Sequence, residues 1–172
     1  MKEIIDYINQ EIENCIDDVN LYGLCHLLED DSEEVYPSII GSEGNRVTPD
    51  DRHNVTIYHR LLDGDTAPKD ETPFGRKSVK KTTQRVRTVI FIKMTVDETE
   101  DLINDIINAL PESFTLIDYP LAYVSNEISL IRDRSAIWDD EYGSAYKDKY
   151  QKRFNVYALE YDCQYIKCPV CA

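Results

Sequence analysis

Long apolar runs are missing from this 172-residue chain. No stretch approaches the roughly 20 residues that cross a bilayer as a helix. Charged residues make up 30% of the sequence, which points to a soluble protein rather than a membrane one. Enzyme signatures are missing too: there is no HExxH, GxSxG, P-loop or GxGxxG pattern. No internal repeat or low-complexity segment occurs. The N-terminal MKEIIDYINQEIEN breaks any apolar core with acids, so no secretory signal is expected there and the chain is expected to work in a cytoplasm or a particle assembled in one. A positive overall charge is also lacking. Nineteen lysines and arginines face 33 acids, leaving a formal net charge of −14. Such a field opposes general affinity for nucleic acid.

What the chain does have is segregated charge. Between Gly75 and Lys93 stand Arg76, Lys77, Lys80, Lys81, Arg85, Arg87 and Lys93, with no acid among them. A positive element inside a negative chain suits contact with a partner at one place and repulsion elsewhere. Hydrophobic residues at 42% are enough for one domain with a real core.

Ile4, Ile5, Ile8, Ile12, Ile16 and Val19 recur at three- and four-residue spacing, which predicts a first helix with Gly23 as its stop. The acidic EDDSEE at 29–34 reads as a loop and residues 35–40 as a weak strand. Residues 54–62 alternate Val55, Ile57 and His59 against Thr56, Tyr58 and Arg60, as a strand does. Residues 63–84 carry Pro68, Pro73, Gly64 and Gly75 and few apolar groups, predicting a long arm. Residues 85–96 (RVRTVIFIKMTV) form the strongest strand. Val86, Thr88, Ile90, Ile92 and Met94 share a covered face, and the opposite face is expected to be partly contacted.

A second helix follows. Asp97 and Glu100 match a capping box, Leu102, Ile103, Ile106, Ile107 and Leu110 form its stripe, and Pro111 ends it. Residues 122–131 and 153–166 read as two further strands. The order predicts an α+β domain over 1–172. It has an antiparallel or mixed sheet of about four to five strands, two helices packed on one face, a hairpin arm at 63–84, and a flexible cysteine-containing tail at 167–172.

Cys163, Cys168 and Cys171 are candidate zinc ligands, with His26, His53 or His59 as a fourth. The alternative is an inert tail, because one knuckle is visible where structural sites pair two. A Cys168–Cys171 redox pair lacks the following helix that would lower a thiol pKa. His53, His59, Asp50 and Asp51 lie close in sequence, but 33 acids make such neighbours common, so no catalytic residue is assigned and no cofactor other than zinc is expected. Trp138, Tyr142, Tyr146 and Tyr150 fit one helical stripe, either as core or as subunit contact. The candidate interface residues are therefore Arg76, Lys77, Lys80, Lys81, Arg85, Trp138, Tyr142 and Tyr146.

The leading helix, NVTIYHRLLDG, the long arm, RVRTVIFIKM, ETEDLINDIINALP and the final LEYDCQY together resemble the tail terminator and head–tail connector proteins of tailed bacteriophages. That resemblance implies a ring-forming structural subunit with no catalytic residues. It implies a place in the virion at the neck or tail end, around the DNA path, with adjacent connector, portal or tail proteins as partners. An acidic lumen passes DNA without binding its sequence, and an arm joins neighbouring subunits. Two rivals remain: a monomeric acidic inhibitor or DNA mimic that binds a host protein, and a small zinc-stabilised protein. The basic island argues against the first, and metal content separates the second.

Overall fold

Alternation within three long segments organises the fold, seen here in a computed structural model. It describes residues 1–28, 38–41, 44, 46, 47, 49, 52–62, 71–74, 77–137 and 153–166, of which 27, 28, 38, 71–74 and 77–80 are described by backbone alone. In chain order the elements are α1 (Lys2–Cys15), β1 (Val19–Leu28), β2 (Ser38–Gly41), β3 (Val55–Leu61), β4 (Glu71–Phe74) and β5 (Lys77–Lys93). They continue with α2 (Thr99–Ala109), β6 (Leu121–Val124), β7 (Ser129–Ile131), α3 (Arg134–Ile137) and β8 (Phe154–Ile166).

The α+β expectation holds, with a larger sheet than four to five strands. Eight strands among the described residues join in the order β2-β1-β3-β5-β8-β6, with β4 attached to β5 and β7 to β8. The sheet is mixed, because β1 runs parallel to β3 while the other pairings are antiparallel.

α1 and α2 both pack on one face, as expected. Ile4, Ile5, Ile8 and Ile12 of α1 are fully buried against Val55, Ile57, Val86, Ile90, Ile92, Leu159 and Tyr161 of the sheet and Ile103 and Ile106 of α2. Each such side chain contributes about 1.5–3 kcal/mol. The opposite face is covered more fully than the sequence implied. Tyr58, Val89, Phe91, Phe154, Val156 and Ala158 form a second core closed by Cys25, Ile39, Val47 and Ile137. Phe91 sits at its centre, 6.0 Å from the Tyr58 ring and edge-on to Phe154 at 6.3 Å. Met94 lies past the end of β5 and is 48% exposed, so it does not join the covered face.

The first helix is shorter than its periodicity predicts. It ends at Cys15, Ile16 turns extended, and Asp18 takes φ 55°. Asp18 holds that turn through its carboxylate, which accepts from the Asn54 N–H at 3.0 Å and pairs with His53 Nδ1 at 3.1 Å. Val19 therefore opens β1 rather than ending α1. The strand was hidden because its alternation slips: the register with β3 shifts between Leu21 and Leu24, which puts both on the helix-covered face. Gly23 sits in that bulge at φ +70°. A Cβ there has ordinary room, 3.8 Å from Asn9 Nδ2 and 3.9 Å from Asp6 Oδ1, so the backbone alone penalises substitution. Gly23→Ala is expected to lower stability by about 1–2 kcal/mol in urea unfolding, the strain of a left-handed non-glycine residue. An unchanged midpoint would show that the bulge relaxes freely.

Three smaller expectations are corrected. Asp97 and Glu100 form no capping box: the N-cap is Glu98 without a side-chain cap, and Glu100 is drawn instead to the Arg132 guanidinium, which donates to both its oxygens. Those hydrogen bonds hold the Glu100 carboxyl below its usual range. Residues 122–131 are two strands rather than one. Ser125 N–H still donates to Asp162 O at 2.9 Å, after which the chain leaves the ladder until Ser129. The arm is also narrower than 63–84. Residues 81–84 belong to the main sheet, paired with residues 163–166 of β8. β-branched Thr82 and Thr83 suit such a half-buried pleat.

Candidate assembly interface

The basic island lies along the first part of β5, and tertiary pairing divides it. Lys77 to Lys80 pair with β4, matching Phe74 to Glu71 in a hairpin. From Lys81 onward β5 pairs with β8. The root of the hairpin is clamped by aromatic and amide groups. Lys81 Nζ lies 4.9 Å from the Tyr123 ring centroid, and the Tyr123 hydroxyl donates to Gln164 Oε1. Tyr165 meets Tyr119 edge-on at 5.3 Å. The N-terminal ammonium in turn donates to the Tyr119 hydroxyl at 3.0 Å. Buried Gln84 fixes the corner where the chain leaves β3, donating to Leu62 O at 3.2 Å and Arg85 O at 3.3 Å.

Arg85 and Arg87 spend their charge within the chain. Arg87 donates to Glu160 through Nε at 2.8 Å and through a terminal nitrogen, and its other terminal nitrogen donates to Ile137 O. Arg85 reaches the second Glu160 oxygen at 3.0 Å. Arg87 and Glu160 are each 12% exposed, whereas Arg85 is 53% exposed at the rim. The trio thus anchors α3 to β8 and leaves one guanidinium partly facing solvent.

Of the expected interface residues, Lys81 lies at the hairpin root on Tyr123, and Arg85 lies four residues further along β5 on Glu160. Lys77 and Lys80 are placed by backbone on β5. Arg76, Trp138, Tyr142 and Tyr146 lie outside the described residues, as do Cys168 and Cys171. Tyr123, Gln84 and Glu160 were missed. Glu160 had a visible signal, a lone acid in the apolar run VYALEY, opposite the spacing Arg85-x-Arg87.

The groups with catalytic or metal-binding chemistry are used for structure. His59 is fully buried, with Nε2 2.8 Å from Asn9 Oδ1 and Nδ1 2.8 Å from Thr88 Oγ1. Asn9 Oδ1 accepts, so Nε2 carries the proton. Nδ1 then accepts from Thr88, whose oxygen accepts from the Tyr161 hydroxyl at 2.9 Å. Both imidazole nitrogens are occupied, and burial depresses the His59 pKa to about 3. Neither nitrogen is open to a metal or a substrate. His53 is held at the surface by Asp18.

Cys163 points into the helix-covered core at 1% exposure, and burial pushes its thiol up to about 12. A site using Cys163 as ligand would have to form inside packed hydrophobic groups, which disfavour the thiolate. No group of three or more metal-ligating side chains occurs among the described residues. No helix among them is long and apolar enough to cross a membrane. No protein-family model matches the chain, and no curated protein matches it either.

Proposed function

We propose that this protein is a structural subunit that closes into a ring at the neck or tail end of a tailed bacteriophage, joined to its neighbours by the β4–β5 hairpin. The observation that carries the reading is how far β5 runs beyond its partners. Its ladder with β3 ends at Val86 and its ladder with β8 ends at Lys81, so residues 77–80 continue with β4 alone among the described strands. A two-stranded ribbon is marginal by itself in water. Seated on another subunit it gains buried surface and a defined register.

The charge pattern supports the same use. Lys77 and Lys80 lie along the ribbon, Lys80 opposite Glu71, and Lys81 follows at its root, in a chain whose formal net charge is −14. An acidic surface around a channel repels phosphates and lets DNA pass. The expected neighbours are further copies and the adjoining connector, portal or tail proteins.

Deleting residues 65–80 while keeping Lys81 tests the reading. Lys81 stays because it pairs with Ile166 and covers Tyr123. The shortened chain is expected to keep its circular dichroism spectrum and to lose the closed oligomer in native mass spectrometry. A full-length chain that stays monomeric at every concentration, or a deletion that assembles normally, sinks the reading.

A further inference from the structure

The break between β6 and β7 opens a cleft of about 660 Å3 on the sheet edge next to the hairpin root. Its carboxylates come from three separate places: Glu112 after α2, Glu127 in the break, and Asp162 on β8. Tyr123, Ser125 and Gln164 complete the polar wall, and among the described residues no lysine, arginine or histidine lines it. The cleft is built into the backbone. Ser125 N–H donates to Asp162 O at 2.9 Å and its hydroxyl donates to Glu127 O at 3.3 Å, which holds the chain away from the ladder at this point. Tyr123 forms one wall and also carries Lys81 on its ring, so the cleft adjoins the start of the hairpin. One apolar group follows on the same strand: Leu121, two residues before Tyr123 on β6, is 44% exposed.

We infer that this cleft is the seat for the basic β4–β5 hairpin of a second copy of the chain. The inference rests on the assembly reading above and names the surface the hairpin meets. Three carboxylates line the cleft, so an incoming ribbon of net positive charge meets a surface of opposite sign. The ribbon meets this requirement with a net positive charge: residues 71–80 carry Arg76, Lys77 and Lys80 against one acid, Glu71, which stands opposite Lys80 in the register. Exposed pairs contribute about 0–1 kcal/mol each, so the contact depends on several acting together. It weakens with salt over a Debye length of about 8–10 Å. Leu121 supplies an apolar contact that charge alone lacks.

A charge swap tests it in the full-length protein. Glu112→Lys with Glu127→Lys reverses the cleft, and Arg76→Glu with Lys77→Glu reverses the hairpin without setting a second acid opposite Glu71. Each pair alone is expected to weaken self-association by about tenfold or more in sedimentation velocity, since like charges then face each other. All four substitutions together are expected to restore it to within about threefold. Circular dichroism checks that every variant folds. If the cleft variant assembles like the parent, or the fourfold variant fails to recover, the seat is overturned. The assembly reading then stands or falls separately on the deletion of residues 65–80, because a deletion that loses the oligomer places the hairpin on some other surface.

Discussion

Lowering the pH from 6.5 to 4 is expected to remove about 3 kcal/mol of stability through His59 alone, at about 1.4 kcal/mol per pH unit. The imidazole is fully buried between Asn9 of α1 and Thr88 of β5, and its folded pKa is pushed from 6.5 down to about 3. The unfolded chain binds a proton at this residue below about pH 6.5, and the folded chain does not until about pH 3. The unfolded state therefore holds more protons across that window. Stability from this group is complete above about 6.5 and declines as the pH falls toward 3. The expected measurement is urea unfolding at several pH values, for the parent chain and for His59→Gln. The glutamine cannot titrate, so the difference between the two curves should slope upward with pH. Parallel curves would mean that His59 protonates without penalty and that the network is open to water.

Glu160→Ala is expected to destabilise the protein by about 2–4 kcal/mol, because it strips a largely covered guanidinium of its counter-charge and of two hydrogen bonds. Arg87 is 12% exposed and directs two of its nitrogens at Glu160, while a third donates to Ile137 O. Glu160→Gln keeps an acceptor in place and should lose less, about 1–3 kcal/mol. Replacing Arg87 and Glu160 together by methionine should come closer to neutral than either single change, since no charge is then stranded. Chemical denaturation of the four proteins checks the ordering. A loss under about 1 kcal/mol for Glu160→Ala would show that the site hydrates and that the pair contributes as little as a surface one.

The contrast between these two sites illustrates what could be read in advance. His59 was placed correctly on the strand face shared with Val55 and Ile57, because alternation over a short strand is a local property. Its partners were not legible: Asn9 is 50 residues away and Tyr161 is 102 residues beyond His59, brought together when α1 and β8 pack on β3 and β5. Glu160 stood out as an acid in an apolar strand, but its pairing with Arg87 required the register Arg87↔Glu160. β1 was missed because a bulge at Gly23 broke the period-two pattern and left a helix-like spacing from Ile12 to Val19. The capping box failed for a comparable reason. Arg132, distant in sequence, offers Glu100 two charge-assisted hydrogen bonds, and these outweigh one to a helix N-terminus.

The candidate interface divides along the same line. The cationic run of residues 76–93 and the extended character of the hairpin region are visible in the residues themselves. Which cations remain for a partner is a tertiary outcome: β8 brings Glu160 to Arg85 and Arg87, and β6 brings Tyr123 under Lys81. The acid-lined cleft is likewise assembled from residues 112, 127 and 162, which no local pattern connects. By itself, then, the sequence determined the α+β class, the faces of the long strands, the α2 stripe and the segregation of charge, because each depends on short-range periodicity or composition. The tertiary structure decided the mixed eight-stranded order, the second core, the buried His59 chain and the division of the basic island. Those depend on strand register, which brings together residues far apart in the chain.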